Sequence, residues 1–380
     1  MATSARAAVT RPSSMLQREN TDFEHQYILD LHRELDQRYR TEKRKAFVSG
    51  WQTAHPFSAT YLPPHALRVT EERMLRYSFL SDDSELQEKI VAFHKGRGEG
   101  GYDPVQAFAS AGSSPLILAQ FLLLKARGMR EAYFIPPIYY TYYYFAKNLG
   151  IRLKPATSHS LHQDGLHLQL PRTSTALFIT DPIWIMGARV DAAYWKTIRC
   201  WQFETNSLVF VDGTFQYFGW EGNGSCPEAS ANLDRELTFR LVCPTKSLAL
   251  HGARLAYLLL PKAFREDIRY ACSNTIGATS AFESVCAHQL LEVLTSPSSN
   301  SALIEYVKER YATLRASGAF SDVASEPNST YYVLVRLNPE IEEHCLCMHQ
   351  RFFGLTEFDG FVRYNLLGPY SFSRPEGVHA

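Results

Sequence analysis

The sequence predicts an α/β fold: a mostly parallel sheet covered by helices on both faces, forming a large domain, followed by a smaller α+β C-terminal domain. Two observations carry this reading. Short apolar, β-rich runs recur at 132–136, 176–180, 208–211, 237–242 and 255–260, and unbroken apolar runs of that length suit strands buried on both faces. Segments of helical period stand between them.

In chain order, residues 24–45 are polar and amphipathic, and Gly50, Pro56 and Pro63-Pro64 then punctuate a linker-like crossing. A helix is expected at 84–94, a long apolar helix from Pro115, a strand at 132–136, a helix at 139–148 and a strand at 151–153. After Pro261 helical periodicity dominates 282–294 and 302–314, with strands at 331–337 and 361–366. The expected organisation is a disordered tail over 1–18, an arm and small-domain segment over 19–76, a large domain over 77–261 and a small domain over 262–380.

Composition bounds the function. The 380 residues carry 39 Lys plus Arg against 39 Asp plus Glu, so the basic excess of a dedicated nucleic-acid binder is missing. Their 23 Phe, 21 Tyr and 5 Trp supply a large core and exclude disorder for most of the chain. Seven cysteines with no secretory apolar region fit free thiols in a reducing compartment, hence the cytoplasm. No apolar stretch is long enough to span a bilayer.

Four local features could carry chemistry. Ala111-Gly112-Ser113-Ser114-Pro115 precedes the apolar helix. Ser114 suits an N-cap and Pro115 the first helical position, so the free N–H groups of that turn make an anion seat. In Thr245-Lys246-Ser247-Leu248-Ala249-Leu250-His251-Gly252-Ala253-Arg254, a lysine follows a strand amid small and apolar residues, where desolvation would favour the neutral, nucleophilic amine. Arg254 could fork onto a phosphate. Asp212 ends the apolar run at 208–211, where open parallel sheets place ligand-binding groups. The run from Pro137 to Ala146 is dense in tyrosine, and one ring at a strand exit could stack on a planar ligand.

Together these parts resemble the fold-type I pyridoxal-phosphate enzymes, in particular the class I/II aminotransferase group, from about Gly50 to Gly368. The resemblance implies pyridoxal 5′-phosphate as cofactor, with Lys246 as its Schiff-base lysine and Thr245 where serine is usual. It implies Arg254 and Gly112, Ser113 and Ser114 on the phosphate, and Asp212 on the pyridine nitrogen. Tyr139, in Pro137-x-Tyr139-x-x-Tyr142, resembles the ring-stacking aromatic, Arg363 the arginine that grips the substrate α-carboxylate, and Tyr77 the tyrosine that reaches the neighbouring subunit's phosphate. A homodimer follows. Trp51 matches a position that lines the substrate pocket.

Two residues depart from the pattern. The family's Asn-Pro-x-Gly turn reads Asp181-Pro182-Ile183-Trp184-Ile185-Met186-Gly187, with Trp184 in place of asparagine, or Asp181 in a shifted alignment. Phe215 stands where a tyrosine is usual. Both positions normally donate to the cofactor's phenolic oxygen; an indole N–H can donate once and a phenylalanine cannot. Their loss is expected to raise the pKa of the Schiff base, and Trp184 to narrow the space for the substrate carboxylate.

Three functions compete. Transamination between an amino acid and a 2-oxo acid stands first. Elimination, replacement, cyclisation or oxidation of an amino acid in natural-product biosynthesis stands second, favoured modestly by the missing donors. A non-catalytic regulator stands last, since no helix-turn-helix or basic region accompanies the site. The His344-Cys345-Leu346-Cys347-Met348-His349 segment lacks a second ligand pair at zinc spacing and reads as helix or loop. His159, His162 and His167 read as solvated histidines.

Overall fold

A computed structural model describes residues 25–42, 46–157, 168–221, 230–296, 298–355 and 357–368; the expected tail at 1–18 and the three histidines at 159, 162 and 167 lie outside the described residues. The strands are β1 Ala46–Phe47, β2 Ala107–Ser110, β3 Glu131–Phe134, β4 Arg152–Pro155, β5 Ala176–Thr180, β6 Leu208–Asp212, β7 Thr238–Val242, β8 Ala256–Leu259, β9 Phe320–Val323, β10 Tyr332–Leu337, β11 Cys345–Leu346 and β12 Val362–Asn365. The longer helices are α1 His25–Thr41, α2 Ser84–Gly96, α3 Ser113–Ala126, α4 Tyr140–Leu149, α5 Ala192–Thr205, α6 Arg265–Thr275, α7 Ala281–Leu294 and α8 Ser301–Ala316.

Seven strands form the main sheet in the order β2-β8-β7-β6-β5-β3-β4. Strands β3 to β7 pair in parallel, and β8 runs antiparallel to both of its neighbours. Two reversals restore direction, so β2 runs the same way as β7. The C-terminal ends of β2, β3, β5, β6 and β7 and the start of β8 therefore share one edge.

Alternation along the strands feeds two cores, because successive side chains leave opposite faces. Phe178, Phe210 and Phe239 stand in register on β5, β6 and β7 and stack with centroids 4.7 Å apart, and Phe121 of α3 continues the row at 5.0 Å. Leu177, Ile179, Val209 and Val211 pack instead with Trp195 and Ile198 of α5. Each such side chain contributes roughly 1.5–3 kcal/mol by leaving water, which explains why these strands read as continuous apolar runs.

Beyond Pro261, α6 packs on α3 and its Ile268 joins the phenylalanine core. A separate antiparallel sheet, β12-β10-β9, follows. The N-terminal arm is tied to it: β1 pairs with β11, Ser49 Oγ donates to the Arg363 carbonyl (2.5 Å), and Asn365 Nδ2 donates to the carbonyls of Gly50 (2.9 Å) and Gln52 (2.8 Å). Cys345 thus belongs to a strand, and among the described residues no group of three His, Cys, Asp or Glu could hold a metal ion. No described helix is long and apolar enough to cross a membrane.

Candidate active site

The shared sheet edge gathers the chemistry. Gly112 leaves β2 with φ +97° and ψ 173°, a region essentially reserved for glycine. A Cβ there would lie 2.3 Å from Nη2 and 3.0 Å from Cζ of Arg254, so the guanidinium lies directly over the turn. Arg254 reaches it from just before β8, in a left-handed conformation (φ 49°), with Nη1 donating to the His251 carbonyl at 3.3 Å. The helix begins two residues earlier than the sequence suggested. Gly112 is the N-cap of α3 with no side-chain cap, Ser113 is its first residue and Pro115 its third. Proline is tolerated there because the first N–H groups of a helix have no intrahelical partner. The unsatisfied N–H groups of Ser113 and Ser114 and the positive helix end face the same region as Arg254.

Lys246 follows β7 in the single helical turn Pro244–Ser247. Burial pushes its amine down to about 8, and the positive charges of Arg254 and Arg363 push the same way, against Cys243 and Asp212. Nζ lies 5.6 Å from the Phe215 ring centroid and 3.5 Å from His251 Nε2. Thr245 is buried and its hydroxyl points to the Leu255 carbonyl at 3.5 Å.

Asp212 is the buried last residue of β6. The Thr214 N–H donates to Oδ1 at 3.2 Å and the Tyr142 hydroxyl also bonds the carboxylate, but burial still raises its pKa to about 6. Tyr139 is the N-cap of α4 and Tyr142 lies in the first turn, so one turn supplies both the Tyr139 ring and the partner of Asp212. Tyr139 Oη donates to Tyr140 Oη at 2.9 Å.

Arg363 on β12 is 1% exposed. Its Nη2 donates to the Ser49 carbonyl, and the rings of Trp184, Tyr332 and Phe353 surround its Cζ at 5.5, 5.0 and 5.0 Å. Nε finds no partner, and among the described residues no carboxylate pairs with the guanidinium. A buried, unpaired charge is costly, and burial lowers the pKa of this one. The Trp184 indole N–H is likewise buried and unpartnered, with its ring edge-on to Tyr139 at 6.3 Å. Asp181, beside Asp212 on the neighbouring strand end, spends its carboxylate on the Val190 N–H (3.0 Å). Trp51 stacks on His32 (3.6 Å) and faces Tyr140 at 6.3 Å.

The structure thus brings Gly112, Ser113, Arg254, Lys246, Asp212, Tyr139, Trp184, Phe215, Arg363 and Trp51 to one region. Tyr77 is not among them: its side chain is 90% exposed, near exposed Met74 and Leu75. Sequence reasoning assigned nothing to Tyr142, His251 or Tyr331. For Tyr142 the spacing of three from Tyr139 was a usable signal. For the other two the pairing, His251 Nε2 to Tyr331 Oη at 2.5 Å, joins segments far apart in sequence.

Residues 63–369 match the family model described as "Aminotransferase class I and II". The chain belongs to this family. Its members use pyridoxal 5′-phosphate. A curated relative, the probable aspartate/prephenate aminotransferase of Aquifex aeolicus, is 20% identical over 251 residues, which is 64% of this chain and 63% of that protein. The chain therefore spans less than two thirds of that relative's length. Among solved structures, aspartate aminotransferase of Thermotoga maritima shares 15% identity with a TM-score of 0.71, covering 89% of this chain and 91% of that one. YbdL of Escherichia coli, reported to have a methionine aminotransferase function, shares 14% identity with a TM-score of 0.73, covering 95% and 96%. At these identities the likeness establishes the fold, and the small antiparallel sheet beside the mostly parallel one agrees with it.

The residues fit the family's cofactor on their own chemistry. A glycine-only turn beneath a guanidinium has the donors a phosphate requires, an amine brought down to about 8 is acted on by the charge of a buried carboxylate, and an indole N–H is left without an acceptor.

Proposed function

We propose that this chain is a pyridoxal-phosphate-dependent aminotransferase acting on an α-amino acid, with a 2-oxo acid as second substrate. The observation that carries the substrate class is the buried Arg363 guanidinium, held among three rings with Nε free and, among the described residues, no carboxylate to meet it. An incoming α-carboxylate would supply the missing charge and hydrogen bonds. When bound, the cofactor supplies an electron sink for the charge that develops at the amino acid's Cα.

The chain's own groups divide the remaining work. Gly112, Ser113 and Ser114 with Arg254 hold the phosphate, and Tyr139 lies against the ring. Asp212, supported by Tyr142 and the Thr214 N–H, holds a proton on the pyridine nitrogen. Lys246 is neutral often enough near pH 8 to attack a carbonyl carbon and to move a proton on and off Cα. Trp184 offers its indole N–H. Trp51, Tyr140 and Trp184 wall the substrate side with rings, which favours an apolar, aromatic or cationic side chain over an acidic one.

The proposed active unit is a homodimer in which Tyr77, exposed within its own chain, reaches the phosphate of the partner subunit. The six described cysteines are free, which supports a cytoplasmic setting. Phe215 and the occupied Asp181 carboxylate favour a second reading, a non-transaminating reaction of an amino acid in specialised metabolism.

The test is an absorption spectrum of the purified protein beside Lys246→Ala, before and after addition of mixed amino acids. Visible cofactor absorbance that depends on Lys246, is lost with amino acids and returns with a 2-oxo acid supports the aminotransferase. Absorbance that regenerates without an oxo acid supports the second reading. Its absence from the wild type overturns both.

A further inference from the structure

We propose that His251 and Tyr331 form a positioning pair for the Lys246 amine, in which the single Nε2 lone pair of the imidazole is shared between the phenol and the amine. The inference rests on the reading of Lys246 as the reacting amine and extends it to two residues with no role assigned so far. Nδ1 of His251 lies 3.1 Å from the Trp51 carbonyl, which can only accept, so Nδ1 carries the proton and Nε2 is left as an acceptor. Two donors compete for it: Tyr331 Oη at 2.5 Å and Lys246 Nζ at 3.5 Å.

The geometry is fixed from three directions. Tyr331 is fully buried, with its ring against Phe215 and Phe218 (5.2 Å each) and Tyr332 (5.0 Å). The Trp51 carbonyl comes from the N-terminal arm, and Lys246 from the turn after β7. The groups that face the amine are Cys243, Arg254, Arg363 and Asp212; those that face the imidazole are Lys246, Arg254 and His55. Burial, with the charges of Lys246 and Arg254, holds His251 well below its ordinary pKa, so the imidazole is neutral.

The consequence is a tunable amine. Because the phenol and the amine share the lone pair, an ammonium at Lys246 is only partly satisfied by it. When that amine takes the Cα proton, the C–H electron pair stays on carbon, and the same lone pair can accept from the newly formed ammonium. His251 remains neutral throughout and acts through Lys246, and Tyr331 acts through His251.

Competition for one lone pair predicts opposite shifts. The experiment uses the cofactor-free chain: the pH dependence of Lys246 acylation by acetic anhydride, read at its peptide by mass spectrometry. Tyr331→Phe frees the lone pair for the ammonium and should raise the amine's apparent pKa by roughly one unit, since a charge-assisted hydrogen bond is gained. His251→Leu removes the acceptor and should lower it by roughly one unit. His251→Gln restores an acceptor and should return the value toward wild type. Equal-sign shifts, or none, in the first two variants overturn the proposal.

If His251→Leu does not fold, an upward shift in Tyr331→Phe with a near-normal His251→Gln is the supporting result, and an unmoved Tyr331→Phe overturns it. Failure of the aminotransferase reading would show separately, as a wild-type chain that takes up no pyridoxal phosphate at Lys246. The amine titration would still decide the pair.

Discussion

Substituting Gly112 by alanine probes the phosphate seat through two separable effects. The first is backbone strain: at φ +97° a side chain costs roughly 1–3 kcal/mol. An unfolding entropy of about 2.1 cal/mol/K per residue over 380 residues turns that into a Tm lower by about 1–4 °C. The second is steric. The new Cβ would stand 2.3 Å from Arg254 Nη2, so the guanidinium must leave its place over the turn. A charge-assisted fork is worth about 1.5–3 kcal/mol, and its loss should weaken cofactor binding roughly 10- to 100-fold. The assay is thermal denaturation of the cofactor-free chain together with equilibrium titration of pyridoxal phosphate into Gly112→Ala, Arg254→Ala and the double variant. Because the alanine acts largely by displacing Arg254, the double variant should bind little worse than Arg254→Ala alone. Binding by Gly112→Ala within about threefold of wild type, or losses that add in full, would refute the placement of Arg254 on this turn.

Arg363→Met removes a buried charge that has no carboxylate partner among the described residues, so the substrate-free chain should be no less stable by urea denaturation, while KM for the amino acid rises roughly 10- to 100-fold; a less stable variant with normal KM would contradict this. Asp212 is raised by burial to about 6, above its ordinary value, so its stabilising protonated state is complete at low pH and is lost as pH rises through about 6. Asp212→Asn should therefore exceed the cofactor-free wild type in stability at pH 8, with the gap closing toward pH 4, and should bind the cofactor more weakly; denaturation series at the two pH values and a cofactor titration check both. Mixing Tyr77→Ala with Lys246→Ala should restore activity that neither has alone, since one site of a mixed dimer keeps both residues, and no recovery would mean that each chain completes its own site.

What could be read from the sequence is what one segment decides by itself. Strand β5 was legible to the residue because a strand buried on both faces must be apolar throughout. The helix start after Gly112 was legible because a turn, small hydroxyl residues and an apolar helix stand side by side, although glycine's freedom sets that start ahead of Ser114. Strand β2 is four residues, Ala-Phe-Ala-Ser, too short and too small-sided to show a period, yet it delivers the chain to the Gly112 turn. Helix α5 has only a weakly amphipathic pattern, so nothing local marks it apart from the Asp191 cap.

The site shows the same division more sharply. Asp212 ends β6, Lys246 stands in the turn after β7 and Arg254 just before β8, and strand ends are visible in sequence. Phe215 was visible only as a missing hydroxyl. The fold sets Tyr331 against that ring, on a segment whose approach depends on how the small sheet meets the large one, and turns its hydroxyl to His251. A neighbouring aromatic thus packs against Phe215, and its hydroxyl bonds the histidine that also lies 3.5 Å from Lys246 Nζ. On the proposed pairing, the phenol packed against Phe215 acts on Lys246 through His251. The opposite shifts expected of Tyr331→Phe and His251→Leu measure that action directly.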